Sequence, residues 1–440
     1  MFRSLRRRVP LARRRRATVW KFLGRLNRRK AGTVLKGMGA AGAVGMLGFP
    51  AIVRSQVKEV KIGSVQPMTG LLAVVGKTTR QGNQLAVDHV NAEGGIKSMG
   101  GAKLALVPGD HQYKPEVARA ETERLMREGC HVLIGAFDSG NINAMIQVIK
   151  QSSKPIPFVI DIGSADQLTQ QGVKYVFRVF TTNSTMGRRG IEYLMELFKS
   201  SGNPCKRAVM FQVSDLFGQV GRERTMEWHK KLNAPFEVAE IITYPAGTQD
   251  LSTEVAKAKA SKPDLILAIT RPNDAILLIQ EAYKQRVDVK AIVGPGNPGF
   301  YQPTFMRALG KLSEHTMANA PWWNPKSPLG QKVAADYEKR FGDPFTTESA
   351  WSYQGVRVIA DILERAGTVD PDKFVEAARK TNIKDHVVSG GPIQFDETGD
   401  NVGASSSMVQ IRDLRPKVIF PRDVAEVQPV YPIPNLWERG

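Results

Sequence analysis

Acidic residues are missing from the first 55 positions of this 440-residue chain, which carry 15 lysines and arginines. That segment supplies most of the formal net charge of +20 and leaves +5 for everything after Ser55. The body lacks the broad positive field that phosphate backbones demand, so we expect no nucleic-acid partner. Cysteine is nearly absent. Cys130 and Cys205 each precede an apolar strand and read as two buried thiols rather than a bridge, which leaves the redox compartment open. The six histidines are scattered with no H-x-x-x-H spacing, and no G-x-S-x-G surrounds Ser139. We therefore expect no metal, no cofactor and no enzyme. What is present, 42% hydrophobic and 24% charged residues, is the composition of a folded soluble protein with room for two or three domains.

The basic head has its own logic. Arg6-Arg7-Arg8, Arg13 to Arg16 and Arg28-Arg29-Lys30 precede a weakly apolar run from Gly37 to Val53, followed by Arg54-Ser55-Gln56. This reads as an export signal over residues 1–56, cleaved near Ser55 to Val57. The run is short and glycine-rich, whereas a membrane span takes about 20 strongly apolar residues, so a retained anchor is the weaker alternative. Asn27-Arg28-Arg29 and Val34-Leu35-Lys36 resemble a twin-arginine signal, but Lys30 to Thr33 intervene, so the general secretory route stays open. No lipobox cysteine is present.

From Lys58 onward strand and helix patterns alternate. Val60–Val65, Leu104–Val107, Val132–Ala136 and Phe158–Ile160 read as strands between helices at 78–91, 115–128 and 142–151. A second series follows, with strands at 208–213, 236–242, 265–269 and 291–293 between helices at 188–199, 221–231, 251–260 and 274–285. Two such series predict two α/β domains, each built on a doubly wound parallel sheet. The tail breaks the alternation, with helices at 331–340, 349–366 and 372–380 and short strands at 393–395, 408–411 and 417–420.

One junction stands out for chemistry. The strand Val132-Leu133-Ile134 runs into Gly135-Ala136-Phe137-Asp138-Ser139-Gly140-Asn141 and then a helix. Asp138 or Ser139 can cap that helix, and the N–H groups of its first turn face whatever lies beyond the strand's carboxyl end. A ligand carboxylate would fit there, although an ordinary βα loop has the same local pattern.

Lys61-Ile62-Gly63 with Pro67-Met68-Thr69-Gly70, the helix ending Asn91-Ala92-Glu93-Gly94-Gly95, Asp215 with Phe217-Gly218, and Gly391-Pro392-Ile393-Gln394-Phe395-Asp396 resemble the branched-chain amino acid and amide-binding proteins of ABC importers. The resemblance covers nearly all of Lys58 to Leu414. It implies a type I periplasmic binding protein fold: two doubly wound α/β lobes joined by three crossing segments, near Thr181, Asn319 and Gly403. The lobes would comprise 57–181 with 320–403, and 182–319 with 404–440. It further implies a periplasmic monomer that captures a small molecule between its lobes and delivers it to a membrane-embedded ABC permease. A sensor of the same fold, acting on a receptor, is the alternative.

Carried over position by position, the resemblance puts a ligand carboxylate at Ser139 with Gly140 and Asn141, a carbonyl at Ile162, a hydroxyl at Ser164, and an aromatic at Phe217. Two positions depart from it. Thr270-Arg271 stands where a second aromatic belongs, and Gly296 stands where amino-acid binders place a glutamate for the ligand's ammonium. With no other acid clearly placed for that task, the expected ligand pairs a carboxylate with a neutral, acidic or aromatic remainder. Trp322-Trp323 is expected near the cleft mouth, Trp351 in the core, and Asp110-His111 as a solvated loop pair. Gly294-Pro295-Gly296-Asn297-Pro298-Gly299 also spells a dinucleotide fingerprint, but two prolines remove N–H donors that a pyrophosphate needs.

Overall fold

Strands rich in Val, Ile and Leu and buried along their whole length require helices on both faces of a sheet, and that is how this chain is built. The computed structural model describes residues 57–296 and 298–439; the basic head and apolar run read above as an export signal lie outside the described residues. The first series comprises β1 (Glu59–Gln66), α1 (Ala73–Ala92), β2 (Lys103–Asp110), α2 (Pro115–Arg127), β3 (Val132–Gly135), α3 (Ser139–Gln151), β4 (Phe158–Ile160) and β5 (Val176–Arg178). Its sheet is parallel throughout, in the order β2-β1-β3-β4-β5.

The second series runs through α4 (Asn183–Ser201), β6 (Arg207–Val213), α5 (Leu216–Lys231), β7 (Glu237–Tyr244), α6 (Ser252–Ala260), β8 (Leu265–Ile269), α7 (Pro272–Lys284), β9 (Ala291–Pro295), α8 (Pro303–Leu309) and β10 (Met317–Ala320). The helices α9 (Pro328–Phe341), α10 (Thr347–Ala366) and α11 (Pro371–Ala378) follow, and β11 (Ser407–Arg412) and β12 (Arg415–Phe420) close the chain's second sheet. That sheet runs β12-β11-β10-β9-β8-β6-β7, with β11 and β12 as an antiparallel edge on a parallel body.

Each sheet reverses its strand order once, between β1 and β3 and between β6 and β8. Crevices at the carboxyl ends of such switch points are where open α/β sheets bind ligands. The helix α10 returns from the second series to cover the first sheet. It lies so close to α1 that a Cβ on Gly82 would come within 2.4 Å of the Ser349 carbonyl oxygen. Where the first sheet's last strand meets the returning chain, the fully buried Arg178 makes a two-pronged bond to Asp400, with Nε–Oδ1 at 2.7 Å and Nη2–Oδ2 at 2.9 Å.

Three elements depart from the sequence expectation. Residues 393–395 form no strand; Ile393 and Phe395 each make one isolated bridge, to Ile383 and Asn401. Glycines at 390 and 391 and Pro392 deny them a continuous ladder. The short α8 and β10 had no signal long enough to read. The two cysteines are free and buried, as expected.

Candidate functional site

The loops leaving β3, β4, β6, β8 and β9 converge on one narrow crevice, whose free cavity volume is about 30 Å³. Of the residues named from sequence, Ile162, Ser164, Phe217, Arg271 and Gly296 line it, together with Phe137, Phe180, Tyr301 and Glu348. The other three, Ser139, Gly140 and Asn141, form the first turn of α3 and do not line it.

That turn carries an internal carboxylate. Asp138 caps α3, its Oδ1 accepting from the Asn141 backbone N–H at 3.0 Å and from Asn141 Nδ2 at 2.9 Å. The first-turn N–H groups of Ser139 and Gly140 have no acceptor within the helix. Ser139 Oγ accepts from the Ala165 N–H at 3.4 Å, a long bond that steadies the loop bearing Ile162 and Ser164. The Ser164 carbonyl accepts from Asn183 N–H at 2.7 Å, which ties the same loop to the start of α4.

Arg271 joins the two halves of the crevice. It is 3% exposed, and its Nη2 donates to Asp138 Oδ2 at 2.8 Å and to Asp215 Oδ2 at 2.6 Å, while Nε donates to Asp215 Oδ2 at 3.0 Å. Tyr113 also donates to Asp215, at 2.9 Å. Desolvation alone would lower the guanidinium's pKa, but Asp215, Tyr113 and Asp138 hold it above its ordinary value. The guanidinium lies 4.5 Å from the Phe217 ring centroid and 5.7 Å from that of Phe137. No hydrogen bond among the described residues uses Nη1, so two N–H donors remain for a ligand. The guanidinium's charge is already opposed by two aspartates, so it offers directed donors rather than net positive charge.

Sequence reasoning missed the acid of this site. Glu348, in the first turn of α10, is fully buried in the crevice wall. Its Oε1 accepts from the Tyr301 hydroxyl at 3.0 Å and its Oε2 from Thr346 Oγ1 at 2.9 Å. Burial pushes its pKa up, and those hydrogen bonds oppose the shift. Gly296, by contrast, sits at φ +89°, and a Cβ there would meet the Met186 side chain at 3.2 Å. The backbone at that position disfavours any side chain, glutamate included.

Behind the crevice, Asp161 is buried without an ion-pair partner among the described residues. Its Oδ2 accepts from Ser352 Oγ at 2.9 Å and Gln66 Nε2 at 3.0 Å, and its Oδ1 from the Ile162 N–H at 2.8 Å. Desolvation nevertheless pushes its pKa up to about 6. A carboxyl raised in the fold favours folding fully below its unfolded value, and that contribution is lost as pH rises through the folded value. Between roughly pH 4 and 7 the native protein should therefore lose on the order of 2–3 kcal/mol through Asp161. Urea titrations across that range should show Asp161→Asn with a correspondingly flatter pH dependence; parallel curves would remove Asp161 from the account.

Other sequence expectations resolve differently. His111 is fully buried, not solvated: the Tyr113 N–H donates to its Nδ1 at 3.1 Å and its Nε2 lies 2.9 Å from the Ala136 carbonyl, the pattern of a neutral imidazole. Trp322 is 3% exposed and packs edge-on against Tyr301, so it braces the crevice from behind. Trp351 is core, as expected, donating from Nε1 to the Pro321 carbonyl at 2.6 Å. Among the described residues no cluster of His, Cys, Asp or Glu is placed to hold a metal, and no helix is long and apolar enough to cross a membrane.

The profile of the periplasmic binding protein family matches residues 59–414. This chain belongs to that family. Among curated relatives, Leu/Ile/Val-binding protein homolog 8 of Brucella abortus is 25% identical over 386 residues, covering 85% of this chain and 93% of its own. The fold matches the branched-chain amino acid transporter substrate binding protein LivJ of Streptococcus pneumoniae, solved with isoleucine, at a TM-score of 0.72 and 21% identity, over 85% of this chain and all of that one. It also matches a solute binding protein of an ABC transporter from R. palustris, solved with benzoate, at 0.69 and 18% identity, over 86% and 97% of the two chains. The chain is thus a periplasmic binding protein with the fold of these solute-binding neighbours.

Proposed function

We propose that this protein is the exported receptor of an ABC importer, holding a small carboxylate-bearing ligand, an amino acid, amide or aromatic acid, between two lobes and handing it to a membrane permease. The lobes are 57–181 with 320–403, and 182–319 with 404–440, hinged near Thr181, Asn319 and Gly403; residues 1–56 are the export signal, by a twin-arginine-like or general secretory route. The observation that carries this reading is the convergence of loops from the carboxyl ends of both sheets on one crevice. The isoleucine and benzoate in related structures bracket the ligand class. The Ser164 hydroxyl and Arg271 Nη1 receive the carboxylate, Phe217 and Phe180 flank the remainder, and the turn Ser139-Gly140-Asn141 supports the carboxylate end from behind.

A thermal-shift screen of amino acids, amides and aromatic acids tests this directly. A ligand present at 100 times its dissociation constant adds about 2.7 kcal/mol. At least one compound should raise the melting temperature, and Phe217→Ala should reduce that shift; a screen without any hit counts against the receptor reading.

A further inference from the structure

Glu348 is a buried carboxylate with no cation beside it among the described residues, and it opens onto the ligand crevice. The Tyr301 and Thr346 hydroxyls donate to it, with the Gln302 side chain beside them, and these contacts favour its ionised form against the burial that pushes its pKa up. The neighbouring Thr347 Oγ1 is also buried; it lies near the Tyr301 hydroxyl but in no hydrogen bond of ordinary geometry. The crevice wall therefore has a polar end that accepts positive charge and lacks it. Formal charge points the same way: Asp138, Asp215 and Glu348 oppose the single guanidinium of Arg271. A ligand bringing only a carboxylate would deepen that imbalance in a low-dielectric site, whereas a ligand nitrogen carrying a proton would relieve it.

We infer that Glu348 is the ligand's cation acceptor, so that the crevice prefers molecules bearing a protonated nitrogen alongside their carboxylate over the same molecules without it. Gly296 cannot supply an acid from the loop after β9, because its backbone is left-handed and Met186 crowds it. The acid comes instead from α10, on the first-sheet side, which sets the ligand's nitrogen towards Tyr301 and Thr347 and its carboxylate towards Arg271 and Ser164. This inference rests on the receptor reading above but is separable from it.

The test is calorimetric titration of the wild-type protein and Glu348→Gln with matched pairs: leucine with isocaproate, phenylalanine with hydrocinnamate, and aminomethylbenzoate with toluate. In the wild type, the aminated member of at least one pair should bind about tenfold tighter or better than its partner, the scale of one charge-assisted hydrogen bond. Glu348→Gln should shrink that preference by about tenfold, both by weakening the aminated compound and by tightening the deaminated acid, whose carboxylate then meets one negative charge fewer. Equal or tighter binding of the deaminated acids by the wild type overturns the inference even if the variant does not fold. So does a preference that survives in Glu348→Gln. Absence of binding by every compound overturns both this inference and the receptor reading; binding without preference overturns this one alone.

Discussion

Arg271→Met should cost about 3–5 kcal/mol of folding stability, the usual effect of removing one partner from a buried ion pair. The side chains of Arg271, Asp138 and Asp215 are 3%, 6% and 14% exposed, so the substitution strands two carboxylates with little water to solvate them. The Asp138 carboxylate would keep its bonds to Asn141, but the link between the α3 cap and the loop after β6 would be gone. Urea unfolding measures the loss. Adding Asp215→Asn to Arg271→Met should return part of it, because the destabilisation comes mainly from the abandoned charge. A single variant as stable as the wild type would show that the triad is solvated and holds nothing together.

Gly135→Ala should be comparably severe, at about 3 kcal/mol or more, through overpacking and backbone strain acting together. Gly135 ends β3 at φ +145°, a region open to glycine and closed to alanine. An added Cβ would sit 2.1 Å from the Val65 carbonyl oxygen on the neighbouring strand β1, and that atom belongs to the sheet and cannot rotate away. The strand pair would have to part at the point where the crevice begins. Thermal unfolding is the readout, and Gly140→Ala is a suitable comparison, because a Cβ there meets only the Asp138 carboxylate, at 3.1 Å. If the two variants melt together, the close approach of β1 to Gly135 does not constrain the fold.

Much of the architecture was legible because it is periodic. Fully apolar runs such as Leu265–Ile269 between amphipathic helices can only be the strands of a parallel sheet, and β8 occupies those five residues. The junction from Val132 to Asn141 was legible for its shape, and the structure bears out Asp138 as the cap. Glu348 was not legible. Within Thr346-Thr347-Glu348-Ser349 an acid in a helix's first turn looks like a favourable charge near the helix dipole, and only the return of α10 to the first sheet brings it to the crevice. Nor were the partners of Arg271 legible, because they lie 133 and 56 residues away in sequence and no local pattern records them.

A ligand of this protein should lie between the two sheets, held at one end by Ser164 and Arg271 and at the other by Glu348. A crystal structure of the protein with whichever screened compound raises its melting temperature most would show this. The compound should occupy the crevice, with its carboxylate within hydrogen-bonding distance of Ser164 Oγ and Arg271 Nη1 and a nitrogen within hydrogen-bonding distance of the Glu348 carboxylate. A compound bound elsewhere, with the crevice closed over side chains alone, would contradict it.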